Sequence, residues 1–294
     1  MSFNYLIAIN KPEKWTSSDV VIKVRNILSK ALGEKVKVGH MGTLDPIATG
    51  VLLLGVNKAT RLFDYLLLKD KEYIGTLTFG TSTDTLDSTG TVDGTSKLPK
   101  LDDIKAILPK FQGIISQVPP KYSAIKINGK KAYDLAREGK SVDIQPREVN
   151  IKDIKLIDFT GDEDNVKSVT FDVKCSSGTY IRSLFFDIAT SIGVLGHMSM
   201  LNRVSLANLG LDDAITIDEL IKNPTSHFIA PIKVINSLME TYEVNDDEYY
   251  DIARGVGVKL DKDNEYLAIT KNDELKFVAK NIDGVYKSVT NLEW

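Results

Sequence analysis

The sequence predicts an α+β fold: a mixed, largely antiparallel sheet with flanking helices, followed by a small β-rich C-terminal domain. Three observations carry this expectation. Helical and strand-like patterns alternate, but with adjacent hairpins rather than strict strand–helix–strand repeats. Two long strand-like runs, 147–159 and 166–175, flank the polar turn at 161–165. After about residue 235 the pattern changes to short apolar runs punctuated by Gly, Asn and Asp. A chain of 294 residues suits one large and one small domain, and the composition shift divides it into 1–235 and 240–294.

In chain order, residues 5–9 read as a strand. Thr16, Ser17 and Ser18 offer N-cap hydroxyls. Val20, Val24, Ile27, Leu28 and Ala31 then follow helical spacing to a stop at Gly33. Residues 37–50, KVGHMGTLDPIATG, hold three glycines and an Asp-Pro step and predict a turn-rich loop. A continuous apolar run at 51–56 predicts a buried strand, 59–68 an apolar-faced helix and 72–79 another strand. The small polar residues 80–96 predict an exposed loop. A helix at 101–111 carries Ile104, Ile107 and Leu108 on one face. Pro119-Pro120 forces extended backbone, and Asn128-Gly129 predicts a tight turn before a helix at 131–138. Past the hairpin, Gly178 precedes a helix at 179–191 closed by Gly193. Strand-like runs at 266–270, 276–279 and 285–289 complete the chain.

Composition excludes several chemistries. One cysteine, Cys175, leaves no intrachain disulfide and no thiolate metal cage, and the three histidines lack metal-ligand spacing. No metal or nucleotide cofactor is expected: Asn128-Gly129-Lys130-Lys131 is not a phosphate-binding loop, and no G-x-G-x-x-G follows a strand. The N-terminal apolar run is too short for a signal sequence and no stretch reaches membrane-spanning length, so a reducing, cytoplasmic location is expected. The net charge of −3 argues against a binder that holds nucleic acid through bulk positive charge. The charge is nevertheless uneven, +7 over residues 1–152 and −10 over 153–294.

Several residues have chemical potential beyond a structural role. Asp45 is a carboxylate in a Gly-rich loop, either a simple Asx turn or a nucleophile or base. Arg182 stands in the first turn of a helix, where the dipole favours anions, and makes better sense paired to a carboxylate from elsewhere. Tyr73 and Tyr180 are either ordinary core tyrosines or platforms for a nucleobase. Asp84 and Asp87 are turn aspartates or a paired-carboxylate site of the glycosidase kind.

Taken in order, these stretches resemble one family. GHMGTLDPIATGVLLLGVNKATR, residues 39–61, resembles the active-site motif of the TruB-type tRNA pseudouridine synthases. Asn10-Lys11-Pro12, Lys71-Glu72-Tyr73, Thr83-Asp84-Thr85-Leu86-Asp87 with Gly90, PPKYSAIKINGKKAYDLAREG at 119–139, CSSGTYIRSL at 175–184 and the block from Gly196-His197 to Leu201 follow in the expected sequence. The resemblance covers roughly residues 5–210 and implies a pseudouridine-synthase catalytic domain followed by an RNA-binding domain of the PUA type. It implies isomerisation of the tRNA T-loop uridine at position 55. Asp45 falls on the nucleophile, Tyr73 on the stacking tyrosine and Arg182 on the arginine that pairs with the nucleophile. Tyr180 falls on the second pocket tyrosine, Leu201 on the apolar residue beneath the base, and His40 on the histidine that enters the T-loop. The implied partner is tRNA, through its T-loop and stem, and the implied state is a monomer. Asn10 and Asn202 depart from the family pattern, and the acidic last 54 residues match only loosely.

The reaction breaks the N1–C1′ bond and forms C5–C1′ with no redox change. The carboxylate can add to C6, attack C1′, or take the 2′ proton in an elimination, and the sequence leaves all three routes open. Two other readings compete: a tRNA-binding or tRNA-folding protein on the same scaffold without essential catalysis, and a glycoside hydrolase using Asp84 and Asp87.

Overall fold

The computed structural model describes residues 3–293 apart from 68, 124, 128, 133, 134 and 136–143. The predicted helix at 131–138 therefore lies mostly outside the described residues. The chain forms two compact units, Met1–Lys69 with Ser205–Trp294, and Asp70–Val204.

The first unit begins with β1 (Leu6–Lys11), α1 (Ser17–Leu32), β2 (Val38–His40) and β3 (Thr49–Val56). Thr16 caps α1 in a reciprocal capping box with Asp19, and Gly33 ends it in the left-handed region. Val20, Val24 and Leu28, one helical repeat apart, supply its buried face. β3 is apolar after Thr49 and buried from Gly50 onward, as expected of a strand covered on both faces. It pairs antiparallel with β1, Leu6 opposite Gly55 and Lys11 opposite Gly50, and with β2, His40 opposite Leu54. The loop predicted over 37–50 thus starts with a strand too short for periodicity to reveal. The helix predicted over 59–68 is a 3₁₀ turn, Asn57–Leu62, running into α2 (Phe63–Leu67).

The second unit holds β4 (Lys71–Phe79), β5 (Thr81–Thr83), β6 (Val92–Thr95), α3 (Leu101–Ile107), β7 (Gly113–Gln117), β8 (Lys126–Ile127), β9 (Lys130–Lys131), β10 (Arg147–Asp162), β11 (Asn165–Cys175), α4 (Ile181–Ser191) and β12 (Gly196–Leu206). Its sheet runs β12-β4-β11-β10-β7, with β10 and β11 forming the predicted hairpin. β4 alternates strictly between buried and half-buried residues, so Lys71, Tyr73, Gly75, Leu77 and Phe79 face one way. The α-helix predicted to residue 111 stops at Ile107 and continues as a 3₁₀ turn containing Pro109.

The first unit resumes with β13 (Leu209–Gly210), α5 (Ile217–Lys222), α6 (Pro231–Ile235), β14 (Thr241–Glu243), α7 (Asp246–Ala253), β15 (Tyr266–Lys271), β16 (Glu274–Ile282) and β17 (Val285–Asn291). The three predicted C-terminal strands form an antiparallel sheet, with β14 added in parallel. Asn272-Asp273 and Asp283-Gly284 turn its hairpins with positive φ at both residues, the geometry that two-residue hairpin loops favour. One set of its apolar residues, Ala268, Leu275, Val278 and Leu292, shares a core with Leu6, Leu53, Leu62 and Val234. Another set, Leu267, Ile269 and Phe277, packs with Val244 and Ile252. The compact units therefore do not follow the composition change near residue 240: the C-terminal sheet is built into the first unit.

Candidate active site

Asp45 lies half-buried in the loop between β2 and β3. The backbone on both sides of it is held. The buried Ser17 hydroxyl donates to the Leu44 carbonyl (3.1 Å) and accepts from the Leu44 N–H (2.8 Å). The Lys11 ammonium, wholly buried, donates to the carbonyls of Pro12 (2.8 Å), Trp15 (2.7 Å) and Pro46 (3.3 Å). These three acceptors match the three N–H donors of an ammonium. The Lys14 N–H adds a second bond to the Pro46 carbonyl (2.7 Å). Leu44 and Pro46 are thus anchored to the β1–α1 connection, with Asp45 between them. His40 stands at the end of β2, three residues before Thr43; the Met41 N–H donates to Leu53 (2.8 Å) and prolongs the pairing toward the loop.

In the second unit, Tyr73 is buried on β4, and Gly75 is the next residue on that face. A Cβ placed on Gly75 would come within 3.0 Å of the Phe185 ring and 3.2 Å of Leu201 Cδ1. The missing side chain lets Leu201 and Phe185 close onto the strand one pleat from Tyr73. Tyr180 is the residue preceding α4. The fully buried Gln117 side chain grips its backbone twice, accepting from the Tyr180 N–H (2.8 Å) and donating to its carbonyl (3.1 Å). The Arg147 guanidinium lies over its ring, 4.9 Å from the centroid.

Arg182 is 4% exposed. It donates to the carbonyls of Thr85 and Tyr122, each at 3.0 Å, and lies 3.6 Å from Asp87 Oδ2. Asp87 is equally buried, and its Oδ1 accepts from the Thr85 hydroxyl (2.9 Å), the Thr89 N–H (3.0 Å) and the Thr89 hydroxyl (2.5 Å). A cation in the first turn of a helix is here matched by a carboxylate from a distant loop, as the dipole argument required. Residues 80–96 consequently depart from the predicted exposed loop. Ser82, Thr83 and Asp87 are buried, β5 pairs with β6, and Asp87 bridges to Met198. Gly90 is required here, because a Cβ would collide with the Thr85 hydroxyl and with Asp84 Oδ1. Asp84 is exposed and accepts from the Thr91 N–H (2.8 Å). With Asp87 committed to Arg182 and two threonines, the pair does not form a glycosidase site.

Among the described residues of this unit, Lys71 and Arg203 are also buried. Burial, reinforced by the charge of Arg203, lowers the Lys71 ammonium to about 8. Burial raises the nearby Cys175 thiol to about 11, so it stays protonated and unreactive at neutral pH. Asp87, Lys11, Ser17 and Gln117 act on the candidate residues without having been singled out by the sequence reading for that purpose. Asp87 had a local signal: a carboxylate among three threonines with a glycine three residues on is a compact acceptor cage. Ser17 and Gln117 had none, since their partners are backbone atoms 27 and 63 residues away.

No helix among the described residues is long and apolar enough to cross a membrane. None of their His, Cys, Asp and Glu side chains group as metal ligands do.

The family model for the TruB family pseudouridylate synthase N-terminal domain matches residues 28–181. A tRNA pseudouridine synthase B of Clostridioides difficile is 39% identical over 94% of this chain and 94% of its own length. The enzyme of the same name from Streptococcus thermophilus is 35% identical over 96% of each. Among solved structures, the corresponding chain of an H/ACA ribonucleoprotein bound to a substrate RNA containing 2′-deoxyuridine has the same fold, with a TM-score of 0.74 at 21% identity, covering 100% of this chain and 86% of that one. A Cbf5–Nop10–Gar1 complex gives a TM-score of 0.72 at 24% identity, covering 100% and 84%. With a family model over half its length and relatives matched nearly end to end, the chain belongs to the TruB family of pseudouridylate synthases.

Proposed function

We propose that this chain converts the T-loop uridine at position 55 of tRNA to pseudouridine, as a cytoplasmic monomer that needs neither metal nor nucleotide cofactor. The observation that carries the reading is the loop around Asp45, whose backbone is hydrogen-bonded on both sides of a single half-buried carboxylate. Catalysis that must act on a detached, reorienting base favours such a carboxylate held in one place.

In this reading Asp45 is the catalytic carboxylate. Arg182 keeps it ionised and oriented, since a carboxylate in a dry pocket otherwise tends to protonate. The Tyr73 ring and the Leu201 side chain, one pleat apart over Gly75, bracket the uracil and exclude water that would intercept an intermediate. Tyr180 lines the same pocket. The uridine must first leave the folded T-loop, at a cost of a few kcal/mol, and His40 offsets part of it by filling the vacated space. Catalysis belongs to residues 1–235, and the acidic, β-rich residues 240–294 form a PUA-like region that contributes little to tRNA affinity. The supports are family membership and the activity named for the relatives matched nearly end to end.

The test is to mix the purified protein with an unmodified tRNA transcript and map pseudouridine by chemical adduct and primer extension. The expected result is one mark, at the T-loop uridine. Tight binding without any mark would favour an RNA-folding protein, and marks elsewhere would reassign the target.

A further inference from the structure

The first unit carries an open groove of about 340 Å³ lined by Arg25, Lys35, Val36, Lys37, Val38 and Asn57. It is separate from the residues assigned above. Arg25 projects from α1, while Lys35 and Lys37 come from the connection that leads into β2. All three cations are exposed, whereas Val36 and Val38 are buried and form an apolar floor. Between Val20 and Val38 the sequence places five basic residues and one acidic residue, Glu34. Among the described residues, no carboxylate lies within ion-pair distance of Arg25, Lys35 or Lys37.

The wall of the groove is firmly built. The Asn57 side chain accepts from the Lys37 N–H (2.9 Å) and donates to the Phe3 carbonyl (3.0 Å), while the Asn57 N–H donates back to the Lys37 carbonyl (2.7 Å). Asn57 holds this bracket with φ of 51°, a region that asparagine tolerates better than most residues. The Lys37 backbone is thereby pinned, and its side chain starts from a defined point.

We infer that this groove is a phosphate-backbone site for RNA. Three uncompensated cations around a concave surface attract a polyanion, and an apolar floor offers nothing to the donor and acceptor edges of bases. The site therefore fits the sequence-independent contacts that position a nucleic acid rather than those that read it. Its location suits the proposed reaction, on which the choice of RNA rests. Lys37 is three residues from His40, about 10 Å along an extended chain and on the opposite face of it, so the groove meets RNA backbone outside the loop engaged by His40.

The test measures binding of an unmodified tRNA transcript over a range of KCl concentrations, with single-turnover rates at saturating protein. Arg25→Ala with Lys35→Ala and Lys37→Ala is expected to weaken binding about tenfold or more near 100 mM salt. It should also flatten the plot of log K against log salt by about 2–3, given 0.7–0.9 per lost phosphate contact, and leave the single-turnover rate unchanged. The charge-preserving set Arg25→Lys, Lys35→Arg and Lys37→Arg is expected to retain the wild-type slope. An unaltered affinity and slope in the alanine set would overturn the site. So would an equal loss from Lys97→Ala, Lys105→Ala and Lys110→Ala on the second unit, which would assign the effect to net charge. If the wild-type protein left the transcript unmodified, the proposed reaction would fail while the salt slope still judged the groove.

Discussion

The surroundings of Asp45 and of Arg182 are built in opposite ways. Around Asp45 the fold grips backbone: Ser17 and Lys11 hold the peptide groups of Leu44 and Pro46 with a hydroxyl and an ammonium. Around Arg182 the fold grips the side chain itself, with two carbonyls and the carboxylate of Asp87. The first arrangement fixes where a group is presented. The second fixes the charge and direction of the group. A carboxylate that must form and break bonds is better served by the first, and a countercharge that must stay put by the second.

The largest effect is expected from removing the presented group. Asp45→Asn should lower tritium release from 5-³H-uridine tRNA by ~10⁴-fold or more while leaving tRNA binding nearly intact. Normal turnover by this variant would remove Asp45 from the chemistry. Asp87→Ala takes one carboxylate from a buried guanidinium that keeps its bonds to two carbonyls, and should cost about 3 kcal/mol in urea unfolding. Adding Arg182→Met should recover part of that loss, and a strictly additive double variant would show that the two charges are not coupled. Ser17→Ala removes both hydrogen bonds that one hydroxyl makes to buried Leu44 and should cost about 2 kcal/mol. If the loop serves presentation, kcat falls with little change in tRNA affinity; an unchanged kcat would break the contrast drawn above.

The smallest effect is a pH slope. The Lys71 ammonium is lowered to about 8 in the folded chain from an ordinary 10.5. Below pH 8 both states carry the proton, and burying the charge costs its full penalty. Between about 8 and 10.5 the unfolded chain binds the extra proton, so this group makes stability rise with pH, by at most ~1.4 kcal/mol per pH unit. Lys71→Met should remove that component from unfolding curves taken between pH 8 and 10. Parallel pH dependences of the two proteins would refute the assignment.

Much of this was legible in the sequence where the signal is local. The Thr16 cap and Gly33 stop, the apolar β3, the β10–β11 hairpin and the C-terminal strands all follow from periodicity and turn chemistry. What escaped depends on distant partners. β2 exists because β3 offers it hydrogen bonds, and β12 mixes Ser, Asn and Arg with its apolar residues, which hides its period. The loop at 80–96 looked solvated because its residues are small and polar, yet those groups satisfy one another around Asp87. The motif resemblance supplied Asp45, Tyr73, Tyr180, Arg182, Leu201 and His40 as candidates, but the supports of Ser17, Lys11 and Gln117 are contacts to backbone, which no side-chain pattern encodes.

The acidic tail also changes meaning. Residues 211–294 carry a net charge of −8, and the sequence suggests that deleting 241–294 would test their part in RNA binding. Their strands complete the core around Leu53, Leu62 and Val234, so deletion would expose that core. Reversing surface charges on β16 and β17 is the cleaner comparison.

The Asn4 amide donates to the Leu292 carbonyl, 288 residues away (2.6 Å). Two ends joined in one unit impose an order on synthesis. Residues 70–204 are contiguous and can collapse as soon as they are made, whereas the unit that contains Asp45 stays unfinished until its last strands arrive. The core around β1 and β3 therefore waits for the strands beyond residue 265 to cover it, and the loop that presents Asp45 becomes native after residues 70–204.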